Sequence, residues 1–199
     1  MNDEKGYLLK LLSILLQYPD DEFILSLEEL KEAVAQVPQT EQRERCVTFL
    51  GYLGSNSLIR LQEEYTSTFD LNPSTCLNLT YHKWGDSKER GNALVDFHRL
   101  YHQAGYESST GELPDYLPLV LEYLSLKRNG DHSSNVDRIV PALAGLIRQK
   151  QGTSATSLVG QYCEEVEAIS SRLQEAGSVY AGLLAIVTDL FIEMKSMGV

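Results

Sequence analysis

Apolar residues recur at helical spacing along almost the whole chain, and this periodicity constrains the fold more than any other feature of the sequence. Near the start, the i, i+3, i+4, i+7 pattern of an amphipathic helix is filled by Leu8, Leu11, Leu12 and Leu15. Residues 77–81 (LNLTY) alternate between apolar and polar side chains, but one short strand cannot form a sheet. We therefore expect an irregular or short helical connection there, and an all-α bundle of about eight to nine helices overall.

Turn and capping residues divide this pattern into segments. Pro38 is expected to end one helix and Thr40 to cap the next. Asp86 with Glu89 resembles a capping box, and Gly105 is expected to end the helix that follows. The helices after the first are predicted at about 23–37, 40–53, 57–69, 86–105, 115–130, 134–150, 158–173 and 180–194.

The composition favours a partner of basic character. The chain carries 28 acidic against 17 basic residues, a formal net charge of −11. Such a surface repels phosphate backbones and anionic lipids, so we expect no nucleic-acid binding and no direct membrane insertion. A basic peptide or protein segment is a more natural partner. The length of 199 residues is enough for one large hydrophobic core, and we expect a single all-helical domain over residues 1–199.

Two apolar stretches and three cysteines bear on the cellular compartment. The N-terminal stretch opens with acidic residues and lacks the small-residue cleavage site of a signal peptide. The C-terminal run SVYAGLLAIVTDLFIEM is too short to span a bilayer and is interrupted by Asp189. Cys46, Cys76 and Cys163 are widely spaced and follow no metal-binding or disulfide pattern, which is typical of a reducing compartment. We therefore expect a cytoplasmic protein.

Residues 111–124 (GELPDYLPLVLEYL) combine two prolines and an Asp with an almost fully apolar helix. Because proline is tolerated in the first helical turn, Asp115 is expected to be the N-cap and Pro118 the third helical position. Only Glu122 and Ser125 interrupt the apolar circumference. Such a helix either lies in the middle of a bundle or exposes one side that binds a partner, and the sequence leaves both interpretations open.

The sequence contains no recognisable catalytic motif. It has no Gly-rich phosphate loop, G-x-S-x-G elbow or Cys/His nucleophile pattern, so we expect neither an enzyme nor a bound cofactor. His98 and His102 are four residues apart and can face one metal on a helix, with His82 or a nearby carboxylate as a further ligand. No second ligand pair accompanies them, so we interpret them as packed or surface histidines and expect no metal site.

Several motifs, in order along the chain, resemble one protein family. GELPDYLPLVLEYL is similar to an E-x-P-D-H motif region, and LLSILLQYPDDEF (11–23) and residues 63–107 extend the similarity. The matching positions are Tyr65, Phe69–Asp70, Thr80–Tyr81, Gly85–Asp86, Arg90–Gly91, Glu112, Pro114 and Asp115. On these residues the chain resembles the NarJ-type assembly chaperones of nitrate reductase, within the wider group of TorD/DmsD-like redox enzyme maturation chaperones.

This resemblance implies a TorD-like, all-helical fold and no catalytic turnover. It also implies binding to the N-terminal, twin-arginine-like segment of the apo catalytic (alpha) subunit of a respiratory nitrate reductase. Members of the family hold that subunit until its molybdenum cofactor and iron–sulfur cluster are inserted, and cofactor-delivery proteins are further expected partners. Where the family motif has His after Pro-Asp, this chain has Tyr116, which puts any role of an imidazole there in doubt.

Residue pattern and resemblance together predict a peptide-binding site. Tyr116, Leu117 and Leu121 are expected to line or support an apolar groove, and acidic residues to bind the basic end of the segment. The acidic candidates are Asp70, Asp86, Glu112 and Asp115. Tyr65, Arg90 and Pro114 complete the predicted site. Two alternatives stay open: a generic helical adaptor for another amphipathic segment, and a chaperone for another molybdenum oxidoreductase of the DMSO reductase type.

Overall fold

The structure, a computed structural model, describes residues 2–129, 147–149 and 159–196. Within these ranges it contains ten α-helices: α1 (Asn2–Leu15), α2 (Asp21–Leu25), α3 (Leu27–Gln36), α4 (Glu41–Gly54), α5 (Leu58–Tyr65), α6 (Leu79–Trp84), α7 (Lys88–Gln103), α8 (Leu117–Asn129), α9 (Val159–Glu175) and α10 (Ala181–Ser196). A π-helical turn, Thr66–Asp70, continues α5. Two three-residue strands, β1 (Tyr106–Ser108) and β2 (Ile147–Gln149), pair antiparallel. The predicted all-α class is therefore confirmed.

The core is built around α1, whose residues from Leu8 to Leu15 are all buried, as is Leu16 directly after it. This helix packs most extensively on α8, and α10 contacts α9, α4 and α1. Of the two interpretations of residues 111–124, burial favours the central one, because every residue from Leu117 to Ser125 is buried. None of the described helices has the length and apolar character that crossing a bilayer would require.

One ion pair lies inside this core. Lys10 of α1 donates from Nζ to a carboxylate oxygen of Glu122 of α8, and the side chains are only 3% and 2% exposed. Charges are rarely buried in protein interiors unless they are paired, because each loses its hydration on burial. The pair explains how a Lys and a Glu are accommodated in the buried, mainly apolar parts of these two helices.

Several helix boundaries follow from local residues. Thr40 caps α4 by accepting from the backbone N–H of Arg43, as predicted. Gly105 follows the end of α7 with φ +80°, a conformation that glycine adopts without strain. The N-cap of α7 is Ser87, so the predicted capping box at Asp86 begins one residue too early. Ser26 separates α2 from α3, which divides the helix predicted at 23–37 and raises the number of helices.

Residues 147–149 contradict the predicted helix at 134–150. They form β2, in which Gln149 lies opposite Tyr106 and Ile147 lies opposite Ser108. The rest of that predicted helix lies outside the described residues. Apolar spacing indicated a helix, but the strand pairs with a segment far away in the sequence, and local periodicity carries no information about such pairing.

Candidate functional site

A cleft of about 350 Å³ opens where four separate parts of the chain meet. They are the residues after α1, the π turn that follows α5, the segment before α6 and the segment before α8. The cleft is lined by Tyr18, Tyr65, Phe69, Asp70, Cys76, Leu77, Asn78, Glu112 and Tyr116. The structure therefore brings together four of the predicted site residues, namely Tyr65, Asp70, Glu112 and Tyr116.

Aromatic rings form the floor of the cleft. The Tyr65 ring lies at 5.4 Å from that of Tyr18 and at 4.9 Å from that of Phe69, both in edge-to-face geometry. Beneath them, the ring of Tyr180 in the core contacts Phe69 at 4.8 Å and Tyr65 at 5.9 Å. Since such pairs are held by ring geometry as well as by burial, the floor is a fixed apolar surface.

The hydroxyl groups of Tyr65 and Tyr116 are hydrogen-bonded to each other, and the contact to Leu16 indicates which of them is the donor. Tyr65 donates to the carbonyl of Leu16 at 3.1 Å, and the two hydroxyl oxygens are 2.8 Å apart. Because the single Tyr65 hydrogen is used by Leu16, Tyr116 donates to Tyr65. Burial raises the pKa of both phenols, so both stay protonated at neutral pH. The Tyr116 oxygen keeps its capacity to accept.

The π turn divides two neighbouring residues between the core and the solvent. Its hydrogen bond runs from the N–H of Leu71 to the carbonyl of Thr66 at 2.9 Å, and Thr75 donates from Oγ1 to the carbonyl of Thr68. Phe69 is buried, whereas Asp70 is exposed at the edge of the cleft. Single π turns of this kind are rare and frequently found at functional sites.

Two backbone hydrogen bonds join the segments before α6 and α8. The N–H of Leu79 donates to the carbonyl of Asp115 at 3.1 Å, and the N–H of Leu117 donates to the carbonyl of Leu77 at 2.8 Å. Between them, Asn78 lies opposite Tyr116 as an isolated antiparallel bridge. This bridge forms one wall of the cleft. The strand-like alternation at 77–81 thus corresponds to a bridge residue followed by the start of α6.

The Asp115 carboxylate caps α6, not its own helix, which corrects the prediction. It accepts from Thr80 N at 3.0 Å, from Thr80 Oγ1 at 2.5 Å and from Asn78 Nδ2 at 3.0 Å. Its own helix begins at Leu117, so Pro118 is the second helical residue and is still within the tolerated first turn. With 0% of its surface exposed, Asp115 acts by holding the cleft wall.

Other predicted residues lie around or below the cleft. Arg90 donates from Nε to Thr80 Oγ1 at 3.1 Å and lies over the ring of Tyr81, so it extends the network of Asp115. The carbonyl of Pro114 accepts from the hydroxyl of Tyr101 at 2.7 Å. Two of the predicted residues, Leu117 and Leu121, have no exposed surface and support the cleft from the core. Asp86 is exposed in the turn between α6 and α7 and is not among the lining residues.

Two carboxylates give the mouth of the cleft its charge. Asp70 and Glu112 both line it, and in the described part of the chain neither forms an ion pair with a basic side chain. Burial raises the pKa of Glu112, and the negative charge of Asp70 raises it further. The residues that follow the two acids are exposed leucines, Leu71 (76%) and Leu113 (43%). The mouth therefore offers negative charge beside apolar surface.

We expect Glu112→Gln to stabilise the fold slightly at pH 7. The ionised carboxylate is disfavoured in the folded state, and the effect is a few tenths of a kcal/mol, on the order of other screened surface charges. Since folding raises the pKa of Glu112, the ionised carboxylate destabilises the fold to its full extent above the folded pKa. This destabilisation disappears as the pH falls below the unfolded value near 4.5. Urea unfolding of both proteins at several pH values measures the difference, and a Gln variant that is less stable at pH 7 contradicts this.

Five lining residues were not predicted from the sequence: Tyr18, Phe69, Cys76, Leu77 and Asn78. Phe69 stands beside Asp70 in the family motif, and Leu77 and Asn78 begin the alternating LNLTY stretch. These local signals existed, but they did not reveal that the bridge to Tyr116 makes a wall. Tyr18 follows the first helix and has no distinguishing pattern.

The structure places His98 and His102 outside the lining of the cleft, and His82 hydrogen-bonds the segment that contains Cys76. His98 and His102 are both exposed on α7, and the described ranges contain no group of three or more His, Cys, Asp or Glu side chains arranged to hold a metal. His82 donates from Nε2 to the carbonyl of Cys76 at 2.7 Å. That nitrogen is therefore not a base for the Cys76 thiol, whose pKa is raised by burial.

Comparison with solved structures identifies the class of fold. A crystal structure of a protein described as a redox enzyme maturation protein, from Archaeoglobus fulgidus, matches with a TM-score of 0.61 at 20% sequence identity. The match covers 94% of this chain and 93% of that chain. The protein thus has the helical fold of redox enzyme maturation proteins, as the resemblance implied.

Sequence comparison identifies the family. The profile of the family described as nitrate reductase delta subunit matches residues 27–168. The chain is 32% identical over 188 residues to a protein of Bacillus subtilis (strain 168) named a probable nitrate reductase molybdenum cofactor assembly chaperone NarJ, covering 94% of this chain and 88% of that one. It is 35% identical over 146 residues to the NarJ assembly chaperone of Escherichia coli (strain K12), covering 72% of this chain and 61% of that one. The chain belongs to the nitrate reductase delta subunit family, and its relatives place it among NarJ-type assembly chaperones, not enzymes.

Proposed function

We propose that this protein is a cytoplasmic chaperone, folded as one domain over residues 1–199, for the apo catalytic subunit of a respiratory nitrate reductase. It binds the N-terminal segment of that subunit and holds it for molybdenum cofactor insertion and complex assembly. The observation that carries the proposal is the cleft, whose aromatic floor lies beneath two carboxylates that have no basic partner among the described residues. The names of the curated relatives support nitrate reductase as the target.

The chemistry of the cleft suits a twin-arginine-like segment, which is basic and then apolar. Its basic part is attracted by Asp70 and Glu112, and its apolar part by Leu71, Leu113 and the aromatic floor. The net charge of −11 adds long-range attraction, which raises the rate of encounter with a basic segment. No turnover is needed for this function, since binding alone keeps the segment from other partners.

Calorimetry with a synthetic peptide tests the proposal directly. The peptide carries the N-terminal residues of the nitrate reductase catalytic subunit from the same organism, and we expect saturable binding with one site. Co-purification from cells should capture the full-length apo subunit but not a form that lacks this segment. Equal capture of the two forms contradicts the proposal. Tighter binding to the leader of a DMSO-type reductase would indicate another client.

Neutralising both cleft carboxylates should weaken binding of this peptide. For Asp70→Asn with Glu112→Gln we expect a loss of about tenfold to a hundredfold, because replacing a charged hydrogen-bond partner by a neutral one loses about 1 kcal/mol at each of the two positions. The matched control is Glu29→Gln with Asp189→Asn, which removes two exposed carboxylates outside the cleft. Calorimetry at two salt concentrations separates the local from the long-range effect. Equal affinities of the two double variants would remove the carboxylates from the site.

A further inference from the structure

Four donors of the cleft bond to groups of the protein itself: Tyr65 donates to Leu16, Tyr116 to Tyr65, Asn78 to Asp115 with one of its two amide hydrogens, and the Cys76 thiol to the Asn78 carbonyl. The acceptors that line the cleft include the carboxylates of Asp70 and Glu112 and the Tyr116 oxygen, and the Tyr18 hydroxyl can donate or accept. A ligand that pairs with the two carboxylates and the Tyr116 oxygen brings several donors and a positive charge.

We propose that the cleft is a binding pocket for one arginine side chain of the bound segment, with the guanidinium group held by Asp70, Glu112 and the Tyr116 oxygen. This inference rests on the function proposed above and specifies which part of the segment the cleft selects. The guanidinium group has five N–H donors in one plane and no acceptor, so it complements a site that offers acceptors. Its charge also lies between two carboxylates that otherwise repel each other.

The aromatic side chains favour arginine over lysine. Tyr18 lines the cleft and is 45% exposed as a residue, and a planar guanidinium can stack on an accessible aromatic ring. A lysine ammonium is a compact, strongly hydrated charge with three donors, so it satisfies fewer of the acceptors and loses more hydration. The exposed Leu71 and Leu113 flank the acids, which favours an arginine with apolar neighbours in the segment.

A small probe tests this pocket separately from the client. The probe is N-acetyl-L-arginine methylamide, compared with the corresponding lysine and citrulline compounds, and the observable is the backbone amide shift of Asp70, Asn78 and Glu112 in nuclear magnetic resonance spectra. We expect saturable shifts with the arginine probe, with a dissociation constant at least about fivefold lower than for lysine, which corresponds to one hydrogen bond. Citrulline has nearly the same shape without the charge, and should give no saturable shift.

Variants of the intact chain locate the binding. Asp70→Asn with Glu112→Gln should abolish the arginine shifts, and Tyr116→Phe should weaken binding about threefold to tenfold by removing one acceptor while keeping the ring. Glu29→Gln with Asp189→Asn should leave the shifts unchanged. Amide spectra of each variant without probe establish that the fold is retained.

The outcomes separate this inference from the proposed function. Equal affinity for arginine, lysine and citrulline, shifts confined to other regions, or no saturable shift overturns the arginine pocket. If the N-terminal peptide of the catalytic subunit still binds in calorimetry in those cases, the proposed chaperone function stands without the arginine pocket. If the cleft binds the arginine probe selectively but the protein does not bind the peptide, the proposed client is wrong and the arginine pocket stands.

Discussion

Replacing Asp115 by alanine is expected to destabilise the protein by about 3 kcal/mol and to weaken binding of the N-terminal peptide. The change removes the acceptor of Thr80 N, Thr80 Oγ1 and Asn78 Nδ2, and each buried donor left without a partner costs about 1–3 kcal/mol. A loss of this size is a large fraction of the 5–15 kcal/mol that typically holds a domain folded. Urea unfolding followed by circular dichroism measures the stability.

Two further variants show whether the effect comes from capping α6. Asp115→Asn keeps one acceptor and adds a donor that faces other donors, so its stability should lie between those of the wild type and the alanine variant. Thr80→Val removes one hydroxyl donor, together with its contact to Arg90, and should cost less than Asp115→Ala. If Asp115→Ala unfolds at the same urea concentration as the wild type, the carboxylate has no such role.

Replacing Lys10 by methionine is expected to cost about 3–5 kcal/mol of stability, the range seen when one partner of a buried ion pair is removed. Methionine fills a similar volume, so the loss reports the removal of the Lys10 cation from beside the buried Glu122 carboxylate. A second change, Glu122→Leu in the same chain, should recover most of the loss, because an apolar pair needs no hydration. Thermal and urea unfolding of the single and double variants measure this recovery.

A matched control is available at the surface. Lys5 and Glu193 also form an ion pair, but their side chains are 23% and 45% exposed. Lys5→Met should therefore change stability by no more than about 1 kcal/mol. Similar losses for Lys5→Met and Lys10→Met would show that burial of the pair is not what makes Lys10 important.

The helices could largely be predicted from the sequence because their signals are local. The Leu8–Leu15 pattern gives α1, Thr40 starts α4, and the apolar circumference of residues 117–124 becomes the buried face of α8. Each of these depends on residues three or four positions apart, which pattern analysis detects. The strand Ile147–Gln149 was predicted incorrectly, since its partner is remote in the sequence.

The site was only partly predictable for the same reason. Asp115 precedes a helix and has the side chain of an N-cap, yet its carboxylate reaches across to Thr80 of a different helix. The pairing of Asn78 with Tyr116 that makes this reach possible depends on the tertiary fold. Family resemblance pointed to Tyr65, Asp70 and Glu112, but only the tertiary fold shows that these three residues line one cleft.

The π turn after α5 has an implication for how this cleft arose. A π turn holds one residue more than the α-helical turn it replaces, and one residue corresponds to a rotation of about 100° around the helix axis. Without the additional residue, Phe69 and Asp70 would point in different directions, and the negative charge would leave the cavity mouth. A single additional residue in the backbone thus determines that the aromatic ring of Phe69 faces inward while the charge of Asp70 reaches the rim of the recognition surface.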